Sequence, residues 1–361
     1  MPISPKTDST LGPLALLMLV LMPFQLYAQQ DSIEPKPAIQ APLAGESLML
    51  DVISHDGGFV AVGSRGHVLL SEDGHQWRQA SSVPVQATLT RVTAFGRRLW
   101  AVGHDAAIIS STDGGETWFI QHFDPEAQEP LLDVLFLNPN EGFAIGAYGR
   151  FMTTSDGGIN WESGRLTDRV TSESIDWANL ANAQGDIETI PDQYQDGEDI
   201  AAKEDANLGC YEFGECHLNA IIRIDSDNLM IAAERGYGFR STDEGNTWEA
   251  FLFPYSGSMF GLLEQQSCLI AFGLRGHIQK SCDFGSNWDE VPVDSPQTLM
   301  GGKIAEDGSA ILVGAGATRM RLYPDGRIER DADQLGSDYA AVALAQDDGL
   351  VLVGEDGVSN E

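Results

Sequence analysis

Basic residues are scarce in this chain: 21 Lys and Arg stand against 54 Asp and Glu, a formal net charge of −33. Nucleic acid is thereby excluded as a general partner, because its affinity comes from phosphates neutralised by Lys and Arg. Direct lipid binding at an anionic surface is not expected for the same reason. Histidine is also sparse, with seven residues and no HExxH or HxH spacing that would hold a metal. No Gly-rich phosphate loop leads into a helix, and no G-x-S-x-G elbow is present. Acidic residues are too numerous for a catalytic carboxylate pair to stand out. The reading is therefore non-enzymatic, with no catalytic residue, no metal and no cofactor, and glycosidase chemistry is the enzymatic alternative left open.

Long apolar runs are missing too, apart from one at the start, LGPLALLMLVLMPFQLYA, which lies behind Lys6 and ends at Ala28. It reads as a signal peptide over residues 1–28, interrupted by Pro13 and Pro23 and short for a membrane span. A soluble, monomeric mature chain is expected in a periplasm or equivalent lumen, or secreted. No Cys follows the run closely, so a lipid anchor at a new N-terminus is not expected. The four cysteines of an exported chain should pair. Cys210 with Cys216 and Cys268 with Cys282 is the simplest of the three connectivities.

What the chain has in abundance is one turn. STDGGETW, Ser111 to Trp118, returns as SEDGHQW, TSDGGINW, STDEGNTW and SCDFGSNW. Each copy keeps a hydroxyl, an Asp (Asp73, Asp113, Asp156, Asp243, Asp283) and a terminal Trp (Trp77, Trp118, Trp161, Trp248, Trp288). An Asp that accepts downstream N–H groups, with Gly supplying positive φ, builds a hairpin turn. The Trp supplies an apolar plate for packing. One fixed carboxylate per copy is far too few for calcium, so the boxes read as structural.

The box tryptophans stand 41, 43, 87 and 40 residues apart. Ahead of each box come an apolar strand, a Gly-rich turn and another strand, as in FVAVGSRGHVLLS and LIAFGLRGHIQKS, with one further strand before them. ILVGAGATRMRL and LVLVGEDGVSNE are copies without a proper box. Seven units of four strands predict an all-β, seven-bladed β-propeller over residues 47–361, the box being the turn between strands C and D. The seventh unit lacks an outer strand, and the segment 29–46 is expected to close the ring; proline there suits an edge strand. The doubled interval holds an insertion at about 164–215 between blades three and four, with thirteen acidic residues against Arg165, Arg169 and Lys203.

Strand alternation puts the B–C turns on the face opposite the boxes. Arg65, Arg235 and Arg275 occupy one column of that turn, with Asp105, Tyr148, Gly316 and Asp356 in the other blades. Two positions later stand His67, Arg150, Tyr237 and His277, and these side chains are expected to ring one face as a partner-docking patch. Arg and Tyr are favoured at interface hot spots, and the arginine fork matches carboxylates. The plainer alternative is that Arg merely solvates an inherited tight turn. Cys268 and Cys282 lie symmetrically about Arg275 and should face each other across strands B and C of blade five.

The repeat carried by AVGSRGHVLLSEDGHQW and AFGLRGHIQKSCDFGSNW closely resembles the photosystem II stability and assembly factor family of Asp-box propellers. The resemblance covers roughly residues 45–361 apart from the insertion. It implies a non-enzymatic scaffold that binds newly made membrane-protein subunits or their exposed segments, partly through an arginine-bearing face. Arg65, Arg235 and Arg275 match that face; blades two, three, six and seven lack the Arg, and the insertion is foreign to the pattern. The box also occurs in sialidases, so a glycosidase or lectin is the alternative function. A sialidase would need an arginine cluster, a Tyr nucleophile and an acidic partner, and no Arg-Ile-Pro motif opens the ring.

Overall fold

The computed structural model describes Met1 and residues 33–170, 216–330, 336–345 and 349–360. Its contacts divide the chain into Met1–Glu34 and Pro35–Glu361, and the fold that follows is that of the second unit. The signal-peptide reading of residues 1–28 falls almost wholly outside the described residues. So do residues 171–215, the greater part of the expected insertion, and with them Cys210. No helix among the described residues is long and apolar enough to cross a membrane.

The described residues form seven antiparallel sheets, six of them uninterrupted A-B-C-D meanders and the seventh an A-B-C meander. In blade one the strands are Met49–His55, Gly58–Gly63, Val68–Ser71 and Arg78–Gln79. Strand B is buried almost throughout in every blade, because neighbouring blades cover both of its faces. Alternate side chains of one strand therefore enter two different cores. In blade one, Val60 and Val62 join Leu89, Leu99, Ile109 and Trp118 of blade two, whereas Phe59 and Ala61 join Ala341, Val351 and Val353 of blade seven. Each large side chain buried in this way contributes ~2 kcal/mol. The second of these clusters also closes the ring.

Blade seven has three strands, Tyr339–Leu344, Leu350–Gly354 and Gly357–Asn360. The N-terminal segment meets the seam without becoming a regular fourth strand. Ala41 and Ala44 pack into the cluster shared by blades one and seven. Farther out, the segment runs along the outer edge of blade one: Ala38 N–H donates to the Val83 carbonyl at 2.9 Å, and Ala41 N–H to Gln79 Oε1 at 3.0 Å. Pro35, Pro37 and Pro42 have no N–H to give to a ladder, so the segment is held by packing and scattered bonds.

Polar contacts link the inner strands of blades one to four. Val92 N–H donates to Asp51 Oδ2 at 2.9 Å and Ile221 N–H to Asp133 Oδ2 at 2.8 Å. Arg91 lies between the two carboxylates, 3.5 Å from Asp51 and 3.2 Å from Asp133. Where the insertion begins, Gly164 and Arg165 still belong to strand D of blade three, Glu162–Arg165. Leu166 and Val170 are buried in the core shared with Trp248, and Trp248 N–H donates to the Arg169 carbonyl at 3.1 Å.

Candidate functional site

The boxes are used up by their own turns. In blade two, Thr117 donates to Asp113 through its N–H at 2.9 Å and its hydroxyl at 2.6 Å, and Ser111 Oγ donates at 2.8 Å. Trp118 Nε1 donates to the Gly115 carbonyl at 2.8 Å. Asn160, Thr247 and Asn287 repeat the two bonds to Asp156, Asp243 and Asp283. The shorter box of blade one feeds Asp73 from the N–H groups of His75 and Gln76 instead, both at 2.8 Å. These donors hold the five carboxyls below the ordinary range. For Asp73 and Asp156 backbone N–H groups lead; for Asp113 and Asp243 the donors outweigh a desolvation that acts the other way. No group of three or more His, Cys, Asp or Glu that could hold a metal occurs among the described residues.

The opposite face is built from the G-x-R-G turn. In blade one both glycines, Gly63 and Gly66, are forced by close backbone approaches. A Cβ on Gly63 would come within 2.3 Å of the Leu48 carbonyl oxygen, and one on Gly66 within 1.9 Å of that of Val85, in the linker to blade two. His67 N–H closes the turn onto the Ser64 carbonyl at 3.0 Å. The residue between is free to vary and stands in the left-handed region: φ is 57° at Arg65, 57° at Arg235 and 56° at Arg275, and likewise positive at Asp105 and Tyr148. A non-glycine side chain there costs on the order of 1 kcal/mol, so a long charged one is retained against local backbone preference.

Arg65, Arg235 and Arg275 are exposed. None of the three makes a side-chain hydrogen bond or ion pair among the described residues, whereas Arg78, Arg91, Arg150, Arg165, Arg240, Arg321 and Arg327 all pair with carboxylates. Blades four and five bring Arg235 and Arg275 to neighbouring turns, and Arg65 stands three blades away.

The second column does not ring the face. His67 is 2%, Arg150 4% and Tyr237 3% exposed, because the residue after the two left-handed positions re-enters strand C and points between blades. Arg150 is tied to Glu129 at 3.0 Å and lies 3.5 Å from His122. Burial, then the nearby guanidinium of Arg65 or Arg150, lowers the basicity of His67 and His122. His277 is the exception: it is half-buried, stacks on Tyr255 with ring centroids 3.6 Å apart, and bonds Glu290 at 2.8 Å. Tyr255 lies in a linker between repeats, outside every repeat column, which is why pattern reading passes over it.

Cys268 and Cys282 are bonded, with Cα atoms 4.1 Å apart. They flank the first register pair of strands B and C in blade five, Leu269 with Ser281, so the disulfide closes the base of the hairpin whose tip is Arg275. The pairing expected between Cys210 and Cys216 involves a residue outside those described.

Comparison with known proteins agrees with this architecture. The family model described as photosynthesis system II assembly factor YCF48 matches residues 120–299. The photosystem II assembly lipoprotein Ycf48 of Nostoc sp. (strain PCC 7120 / SAG 25.82 / UTEX 2576) is 22% identical over 236 residues, 63% of this chain and 68% of that protein. Its counterpart in Picosynechococcus sp. is 43% identical over 51 residues, 14% of this chain and only 15% of that relative's length. Among solved structures, YCF48 from Cyanidioschyzon merolae superposes with a TM-score of 0.62 at 20% identity, covering 89% of this chain and 96% of that one. YCF48 bound to a D1 peptide superposes at 0.61 and 18% identity, covering 91% and 95%.

Proposed function

Since the chain belongs to the photosystem II assembly factor-like family of Asp-box seven-bladed β-propellers, we propose that it is an exported, non-enzymatic scaffold that docks exposed segments of a membrane-protein complex. The observation that carries this reading is the set of exposed guanidiniums at Arg65, Arg235 and Arg275, without an ion-pair partner among the described residues and held on left-handed turns of one face. On a body with a net charge of −33, isolated guanidiniums make a local site for carboxylates while the rest of the surface repels acidic chains. A relative seen with a D1 peptide supports a polypeptide ligand for this fold. The relatives named as lipoproteins support an exported location.

Crosslinking and co-purification of the tagged protein from its native envelope tests the proposal, beside a variant with Arg65→Glu, Arg235→Glu and Arg275→Glu. A membrane protein recovered with the wild type and lost with the variant is the expected result. Equal recovery would remove the arginines from the docking role. Retention of a glycan in place of a protein partner would favour a carbohydrate-binding function.

A further inference from the structure

Tyr255 stands between the two neighbouring arginine turns. It lies in the linker from strand D of blade four, Glu249–Leu252, to strand A of blade five, Met259–Gln265. Its carbonyl backs Gly236, the residue after Arg235, so closely that a Cβ there would come within 2.6 Å. Its ring stacks on His277, two residues after Arg275, with planes 16° apart. Burial raises the phenol above its ordinary range, against the pull of the Arg275 guanidinium. Tyr255 thus touches both arginine hairpins, the blade-four one through its carbonyl and the blade-five one through its ring.

The pair is held rather than loose. Glu290 bonds His277 Nδ1 at 2.8 Å, and Gly257 approaches the Tyr255 ring so closely that a Cβ would lie 2.2 Å from its edge. The inner side of Tyr255 packs on the core of Phe251, Phe253 and Trp288. His277 keeps 30% of its side chain exposed. A fixed, partly exposed π surface costs a partner little ordering entropy and prefers another ring at 4.5–7 Å. The guanidiniums beside it favour carboxylates and the faces of aromatic rings.

We propose that the Tyr255–His277 pair, flanked by Arg235 and Arg275, is a specificity-determining subsite for an aromatic side chain lying next to a carboxylate in an acidic polypeptide segment. The inference rests on the docking reading above and names the chemistry of the occupant. An extended segment suits the site because Arg235 and Arg275 stand on the turns of two neighbouring blades, with Tyr255 in the linker between those blades.

The test uses the full chain and two fluorescent nonapeptides in a Gly-Ser background, one with Asp-Phe-Asp at its centre and the other with Asp-Ala-Asp, followed by polarisation. The wild type should bind the Phe peptide about 2- to 10-fold more tightly. Tyr255→Leu, which keeps apolar bulk against the blade-four core, should abolish that preference and leave affinity for the Ala peptide unchanged; His277→Ala should reduce it. Arg235→Glu with Arg275→Glu should weaken both peptides and preserve their ratio. Equal affinities in the wild type, or a preference that survives Tyr255→Leu, would overturn the subsite and leave the docking reading standing. Binding indifferent to the arginines, or no binding of either peptide, would contradict the docking reading as well.

Discussion

The carboxylate of Asp133 accepts the backbone N–H of Ile221 at 2.8 Å, joining the inner strands of blades three and four across the doubled interval of the sequence. The same carboxylate takes the N–H of Val134 and faces Arg91 at 3.2 Å. Asp133→Ala leaves Arg91 short of one buried counter-charge and Ile221 without its acceptor. Breaking a buried pair in this way costs about 3–5 kcal/mol. Urea unfolding of the variant should show a loss of that size, with the two blades more readily cleaved by protease; a loss under 1 kcal/mol would show that the network holds nothing.

The boxes set the response to acid. The carboxyls of Asp73, Asp113, Asp156, Asp243 and Asp283 are held below the ordinary carboxylate range in the folded chain. A depressed folded pKa adds stability that is present above the unfolded value and lost as pH falls through the folded one. Asp133 runs the other way, raised by burial against the pull of Arg91, but stands alone against five. Denaturation midpoints should therefore drift down as pH falls below about 6.5, where the unfolded chain protonates His67 and His122 more readily than the folded one, and fall more steeply below about pH 4. Asp113→Ala, which removes three donors' acceptor at once, should cost about 2 kcal/mol at pH 7, and the cost should shrink as pH falls below the ordinary carboxylate range.

Replacing the face arginines by glycine separates docking from folding. Arg65→Gly, Arg235→Gly and Arg275→Gly relieve a left-handed side chain and remove no side-chain hydrogen bond or ion pair among the described residues, so each should leave stability unchanged or raise it by up to about 1 kcal/mol. Arg150→Gly removes the buried partner of Glu129 and should destabilise by about 3 kcal/mol. Differential scanning calorimetry on the four variants checks the contrast; equal losses at all four would mean that the exposed arginines are structural.

Gln279 is fully buried in strand C of blade five, and neither atom of its amide has a hydrogen-bond partner among the described residues. The same strand position holds Leu69, Ile109, Met152 and Phe239 in blades one to four. A buried unpaired amide costs about 1–3 kcal/mol, so Gln279→Leu should stabilise the protein by about 1 kcal/mol. A destabilised variant would mean that the amide has a partner, such as a buried water.

The architecture was legible because each blade repeats the same physical demands. Five blades carry the box with its Asp and Trp, most B–C turns place glycine at close backbone approaches, and strand B is apolar on both faces in every blade, so the recurrence of one pattern carries the fold. Cys268 and Cys282 could be placed for the same reason, since the centre of the hairpin fixes its register. Side-chain direction after a left-handed turn was not legible: His67, Arg150 and Tyr237 share a column with His277, yet blade packing turns them inward. Nor was the course of residues 35–46, where three prolines deny the strand ladder that the missing fourth strand of blade seven invites. Tyr255 escaped because linkers between repeats leave no column to compare.

The docking claim is tested most directly by placing a photo-crosslinking amino acid at position 235 or 275 on the arginine face, and at position 116 on the box face, in the native envelope. Adducts with a membrane protein from 235 and 275 but not from 116 are the predicted result. Adducts from 116 alone would contradict the account and assign docking to the face of the boxes.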